Sequence, residues 1–127
     1  MKASEILGIA TAFLFESATD DKDFYQHYPK LLNLAVAEAF PCENSIRASK
    51  GENELSTAPV VESGETEIEY ADEICRIALP FALASYFWQD ENDNYRAQDY
   101  RARFIDALKE AARAVVTDTE DAYSVEG

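Results

Sequence analysis

Residue types that build many common functional sites are scarce in this sequence of 127 residues. It has one histidine, His27, so a zinc site with two histidine ligands is excluded. Its two cysteines, Cys42 and Cys75, lie far apart, and neither has a second thiol close in sequence. The four glycines are too scattered to form a phosphate-binding loop. The sequence therefore predicts no metal and no cofactor.

His27 is also the residue that any Ser-His-Asp or Cys-His arrangement would have to use. It lies among aromatic residues in DFYQHYP, near the predicted start of a helix. An imidazole in this setting more often packs against its neighbours or caps a helix than takes part in catalysis. We predict a packed or capping side chain.

No long hydrophobic run is present. The longest nearly apolar stretch, from Ile77 to Trp88, contains Pro80 and Ser85. It is too short to cross about 30 Å of hydrocarbon, so it predicts a buried helix and no membrane association. The first residues, MKASEIL, do not have the pattern of a secretory signal, and we expect a reducing compartment.

Basic residues are few, because 11 Lys and Arg face 25 Asp and Glu, giving a net charge of -14. This charge argues against conventional binding to nucleic acid or to anionic membranes. Residues 41–75 hold nine acidic and two basic side chains, and residues 114–127 hold four acidic and none basic. Residues 93–113 hold five basic and four acidic side chains. The acidity is therefore concentrated in one central segment and in the C-terminal tail.

One acidic stretch imitates a calcium-binding loop. Residues 90–94 place oxygen ligands at the first, third and fifth positions of a possible loop. The sixth position is Tyr95, where such a loop needs glycine, and the twelfth is Arg101, where it needs glutamate. The stretch instead predicts a turn between helices in which Asn92 or Asp93 caps the next helix.

Hydrophobic spacing predicts a mainly α fold, a four-helix bundle-like single domain over residues 1–116 with an acidic, flexible tail over 117–127. Apolar residues on two sides of the third helix predict that it is central, with Ile77 on a buried side, and Pro80 should kink or break it. Pairs at helical spacing, such as Asp99 with Arg103, predict exposed ion pairs on the fourth helix. The predicted helices run from Ser4 to about Phe15, from Asp23 to Phe40, from Asp72 to Trp88, and from Asn92 or Asp93 to about Val116.

Pro41 is expected to end the second helix, and residues 41–70 to form a long loop. Within this loop, 59–61 and 66–70 have the β-branched or alternating pattern of short strands. An excursion of this length is typical of functional or partner-bound segments.

From Pro59 onward the sequence APVVESGETEIEYADEICRIALPFALASYFWQDENDNYRAQDYRARFIDALKEA resembles the head-tail connector, or neck adaptor, proteins of tailed phages and prophages. The resemblance lies in a Pro-hydrophobic segment, a Glu-Ile segment, a helix with Ala-Leu-Pro-aromatic-x-Leu-Ala, and an acidic turn that opens a long helix. The earlier SEILGIATAFL and LLNLAVAEAF fit more loosely.

This resemblance implies a non-enzymatic structural protein that works as one copy in a ring of about a dozen. The ring would sit beneath the portal in the virion neck, after a period in the host cytoplasm, and join the head to tail-side completion proteins. DNA would pass through without specific binding, and an acidic lumen would help it slide. Candidate contact residues are Val60, Val61, Glu62, Glu65, Glu67, Ile68, Glu69, Arg96, Arg101 and Arg103.

Two other functions fit parts of the sequence. The charge of -14 is compatible with an acidic inhibitor that imitates DNA in the basic groove of a nucleic-acid enzyme. Such a mimic needs carboxylates fixed on rigid helices, whereas much of the charge here lies in the predicted loop and tail. Glu67 and Glu69 share one face of a predicted strand, and an enzyme with paired carboxylates would need a pocket around them.

Overall fold

Four α-helices make up most of the chain in the computed structural model, which describes residues 1–14 and 22–126, with side chains through residue 113. A π-helical turn, Ile74–Ala78, leads directly into α3. The expected mainly α, four-helix bundle-like fold is confirmed. The helices are α1 (Ala3–Leu14), α2 (Lys22–Ser49), α3 (Leu79–Asp90) and α4 (Asn94–Glu126).

Helix α1 begins one residue before the predicted start, and Ser4 is not its cap. The backbone N–H groups of Ala3 and Ser4 donate to the carbonyl oxygens of Thr66 and Gly64, each at 2.9 Å. These amides have no partner within the helix, so the central segment supplies the acceptors that a capping side chain usually provides. The predicted end of this helix, at about Phe15, lies outside the described residues.

Helix α2 does not end at Pro41, as predicted, but continues to Ser49 with both Pro29 and Pro41 inside it. A proline within a helix removes one hydrogen bond and costs about 3 kcal/mol. Tertiary contacts offset this cost, because Ile46, beyond Pro41, is buried, and Glu43 and Asn44 accept backbone hydrogen bonds from Ala71 and Leu55. The expected loop is therefore shorter than predicted and consists of residues 50–71, which we call the strap.

The strap contains no strand in the described structure. Its one ladder contact is an isolated antiparallel bridge between Lys2 and Glu67. The prediction of strands at 59–61 and 66–70 is wrong. The backbone of these residues forms hydrogen bonds with the start of α1 and with side chains of α2, and not with another strand. Gly64 shows how closely the strap approaches: a Cβ there would lie 2.7 Å from the hydroxyl of Tyr28.

The predicted break at Pro80 occurs as a change of helix type. The N–H of Leu79 donates to the carbonyl of Ile74, five residues earlier, and α3 then starts with Pro80 in its first turn. Proline is tolerated there because its fixed φ suits the first turn of an α-helix. The wider π turn also inserts an extra residue and so changes which side chains face the core.

A three-residue turn joins α3 to α4. Asp93 caps α4, as predicted for Asn92 or Asp93, because its carboxylate accepts the N–H of Arg96 at 3.0 Å. Asn92 adopts the left-handed conformation with φ of 60°, which asparagine tolerates well. Helix α4 then continues to Glu126, beyond the predicted end near Val116, since an existing helix extends without a new nucleus. The flexibility predicted for the tail over 117–127 stays a prediction.

Helix α3 is central, as predicted, and contacts each of the other three helices. Phe87 of α3 meets Phe24 of α2 edge to face at 5.3 Å, and Phe81 stacks on Phe13 of α1 at 5.1 Å. Phe104 of α4 is fully buried. Aromatic contacts of this kind add to the stabilisation from apolar burial. The core is thus formed by one helix with three neighbours.

A buried ion pair fastens the end of the strap to α2. Glu43 is 3 % exposed, and its carboxylate accepts the Nε–H of Arg47 and the backbone N–H of Ala71, each at 2.6 Å. The guanidinium of Arg47 donates further to the carbonyls of Asn53 and Glu69. One carboxylate and one guanidinium therefore hold both ends of the strap.

Replacing Arg47 should show how much the free energy of unfolding depends on the cation beside the buried Glu43. We expect Arg47→Met to lower the free energy of unfolding by about 3 kcal/mol, because the carboxylate loses its cation while remaining buried. Urea unfolding followed by circular dichroism measures the change. The matched control is Arg76→Met, which removes the exposed pair of Arg76 with Asp72 and should cost less than about 1 kcal/mol. Equal effects of the two substitutions would contradict the stabilising role of the buried Glu43–Arg47 pair.

Candidate interaction surfaces

Two asparagines of α2 hold the middle of the strap. The side-chain amide of Asn33 accepts the N–H of Val61 at 2.5 Å and donates to its carbonyl at 2.9 Å. Asn44 does the same for Leu55, at 2.8 and 3.0 Å. A side-chain amide carries the donor and acceptor of a peptide group, so each asparagine replaces the strand partner that the strap lacks.

The valine pair of the strap is split between surface and core. Val60 is 66 % exposed, whereas Val61 is 3 % exposed. Glu62 is exposed beside them, and Ile68 is fully buried. Of these four candidate contact residues, Val60 and Glu62 are accessible to a partner. Val61 and Ile68 instead anchor the strap to the core, which corrects their assignment as contacts.

The other carboxylates of the strap differ in whether they form an ion pair. Glu65 pairs with the ammonium of Lys2 at 3.1 Å, and Glu67 pairs with the amino group of Met1 at 3.0 Å. The side chain of Glu69 is exposed, while its carbonyl accepts from Arg47. Part of the central acidity is thus neutralised within the chain, at the contact between the strap and the start of α1.

The three candidate arginines lie on α4 and are not gathered with the strap residues. Arg96 stacks over Trp88 at 4.6 Å and pairs with Asp93. Arg103 pairs with Asp99, as predicted from their spacing. Arg101 binds both oxygens of Glu38 on α2, at 3.0 and 2.6 Å. Each guanidinium therefore already has a carboxylate partner in the same chain.

A cavity of about 590 Å³ lies between α2, the last turns of α3 and the first turns of α4. We call it the Leu34 groove, after a side chain of α2 that is 55 % exposed at its edge. Tyr86 and Arg101 also border it. The Tyr86 hydroxyl is buried without a hydrogen-bond partner among the described residues, and burial raises the pKa of Tyr86.

A second cavity, of about 490 Å³, lies between the π-helical turn and the later part of α4. We call it the π-turn groove. Its apolar surface comes from Ile77, Phe81 and Ala107, and its rim carries Glu73 and Asp106. Ile77 is 49 % exposed, which corrects the prediction that it faces the core. The prediction assumes regular α-helical spacing across residues 74–78, which does not include the extra residue of the π turn.

His27 is neither packed nor a cap, contrary to the prediction. It is exposed in the second turn of α2, on the wall of a cavity of about 440 Å³. Asp23, Asp90 and Tyr86 border the same cavity. No group of three or more His, Cys, Asp or Glu side chains in the described ranges is arranged to hold a metal ion.

Sequence reasoning missed Asn33, Asn44 and Leu34. The two asparagines carry a weak signal, because asparagine is a poor helix former and yet occurs twice inside α2. The apolar pattern of α2 predicts Leu34 on the buried side of the helix, which is wrong, because it lies two residues and so about 200° round the helix from the buried Leu32. Across residues 1–14 and 22–126, no helix combines the length and apolar character needed to cross a membrane.

Each asparagine should protect its own part of the strap. We expect Asn33→Ala to raise the hydrogen-exchange rate of the Val61 amide about fivefold, because a net hydrogen bond is worth about 1 kcal/mol and the freed amide opens to water. Exchange at Leu55 should stay unchanged. Asn44→Ala should give the reverse pattern, and each variant is the control for the other. Equal loss of protection at both sites would mean that the strap opens as one unit.

The two thiols should differ in reactivity. Burial raises the pKa of Cys75 to about 11, and its thiol donates to the carbonyl of Ile68. Burial also raises the pKa of the half-buried Cys42. At pH 8 we expect iodoacetamide to modify Cys42 first and Cys75 only after unfolding, since the thiolate is the reactive form. Peptide mass spectrometry after timed labelling measures both, with urea-unfolded protein as the control. Prompt labelling of Cys75 in folded protein would contradict its burial.

Comparison with known proteins finds no matching family model, no similar curated protein and no similar solved structure. Inference about function therefore depends on the contacts, cavities and charges of this chain.

Proposed function

We propose that this chain is a structural, non-enzymatic adaptor of the phage head-tail junction. In this role, copies form a ring beneath the portal, bind tail-side proteins below it and surround the passing DNA. The observation that carries the proposal is the presence of large exposed apolar side chains on separate faces of one small protomer. Val60 lies on the strap, Leu34 on α2 and Ile77 on the π-helical turn.

Separate apolar faces favour assembly over catalysis. An isolated exposed apolar residue needs no explanation, but Leu34 and Ile77 each border a groove, and the grooves flank α4. Different patches on one protomer can join head to tail, and such heterologous contacts close into rings. Val60 adds a third surface, on a strap that α2 holds in place through Asn33. We assign this third surface to the portal or a tail-side protein.

The charge distribution fits a conduit for DNA. The strap presents exposed carboxylates at Glu52, Glu54 and Glu62. A negative surface repels phosphate, so DNA slides past it, whereas a basic surface would hold the duplex. The arginines of α4 are already paired with carboxylates. We propose that the exposed strap carboxylates face the passing DNA.

Binding to a portal ring tests this proposal. Purified protein mixed with the portal of the corresponding phage should give extra ring density beneath the portal by electron microscopy. Val60→Asp should reduce portal binding at least tenfold, since it places a charge in the proposed contact. The control is Thr57→Asp, at an exposed polar residue of the same strap, which should bind normally. Absence of bound density for the unmodified protein would overturn the proposal.

The net charge of -14 keeps the acidic inhibitor as a second candidate. Its carboxylates would have to bind a basic enzyme groove, with affinity that falls steeply as salt rises. Glu43, Glu65 and Glu67 are already paired within the chain, which reduces the surface available to such a groove. Salt-sensitive inhibition of a nucleic-acid enzyme, together with no portal binding, would favour this second function.

A further inference from the structure

We propose that the π-turn groove of one copy receives the Leu34 face of α2 from the next copy. This inference deepens the proposed function, on which it rests, because it names the contact that would join neighbouring copies. The groove offers Ile77, Phe81 and Ala107 to an apolar side chain. The occupant offers Leu34, the large apolar side chain of α2 that is most exposed.

Charges at the two faces are complementary. Lys30 lies one helical turn before Leu34, so the two side chains share one face of α2. Lys30 is exposed and has no ion-pair partner among the described residues. At the rim of the groove, Glu73 and Asp106 are exposed carboxylates that likewise have no ion-pair partner in the described part of the chain. When Leu34 of one copy enters the π-turn groove of the next copy, Lys30 on the same face would meet these two unpaired carboxylates.

The positions of the two faces make the contact heterologous. Phe104 marks the side of α4 that faces the core. At 100° per residue, Arg101 lies about 60° to one side of Phe104 and Arg103 about 100° to the other. Arg101 borders the Leu34 groove and Arg103 the π-turn groove, so α4 separates the two faces. The same two patches therefore join copy after copy, and neither patch pairs with itself.

Net charge sets the conditions under which the contact forms. Two copies that each carry a net charge of -14 repel each other at long range. At about 0.15 M salt, this repulsion is screened beyond about 8 Å. The apolar contact does not weaken with this screening. We therefore expect self-association to be stronger at 0.15 M than at 0.01 M sodium chloride.

Complementation between two variants tests the contact. Leu34→Asp removes the inserted side chain but keeps the groove, and Ile77→Asp does the opposite. Each variant alone should be monomeric by sedimentation at concentrations where the unmodified protein associates. An equimolar mixture should form a one-to-one dimer and nothing larger, because one intact contact remains. Both residues are about half exposed, and circular dichroism checks that each variant is folded.

Further variants separate this contact from the portal contact. Val60→Asp should self-associate normally, since the strap is not part of the pairing. Lys30→Glu should weaken association about tenfold, the effect of losing one close charge pair. Failure of the mixture to dimerise, or an unmodified protein that stays monomeric at 0.15 M salt, would overturn the inference. Portal binding by the same preparations is measured separately, so the adaptor role is tested independently of the contact between copies.

Discussion

The carboxylate of Glu43 is the constraint on which the arrangement of the strap depends. It is buried inside α2, where it binds the guanidinium of Arg47 and the backbone amide of Ala71. A buried carboxylate is stable only while these partners stay in place, so the end of the strap is fixed where the π-helical turn begins. The strap in turn supplies acceptors to the first amides of α1. One buried side chain thereby connects α2 with the strap just before the π-helical turn and, through the strap, with the start of α1.

The continuation of α2 past Pro41 follows from the same constraint. If the helix ended at Phe40, Glu43 and Arg47 would not be placed one turn apart beside the strap, and Asn44 would not reach Leu55. Burial of Ile46 and the hydrogen bonds made beyond Pro41 outweigh the one bond that the proline removes. Local preference therefore predicts a loop here, and the contacts of the whole chain produce about two and a half more turns of helix.

Proline has a different consequence in α3. Pro80 is accommodated by a π-helical turn just before it, and the extra residue of that turn rotates Ile77 out of the core. The exposed Ile77 then becomes the apolar centre of the π-turn groove, on the opposite side of α4 from Leu34. A local solution to one missing hydrogen bond thus creates the surface that we propose joins neighbouring copies.

The sequence by itself determined the helical class, the central place of α3, a cap at Asn92 or Asp93 and the ion pairs of α4, because these depend on spacing within one helix. It also located the acidity of the chain. Only the tertiary structure decided that α2 passes Pro41, that Asn33 and Asn44 replace strand partners, and that Val61 and Ile68 are anchors whereas Val60 is free. These features depend on groups distant in sequence, whose hydrogen bonds and burial outweigh local propensity. The exposure of Ile77 likewise required the structure, since regular α-helical spacing does not include the extra residue of the π turn.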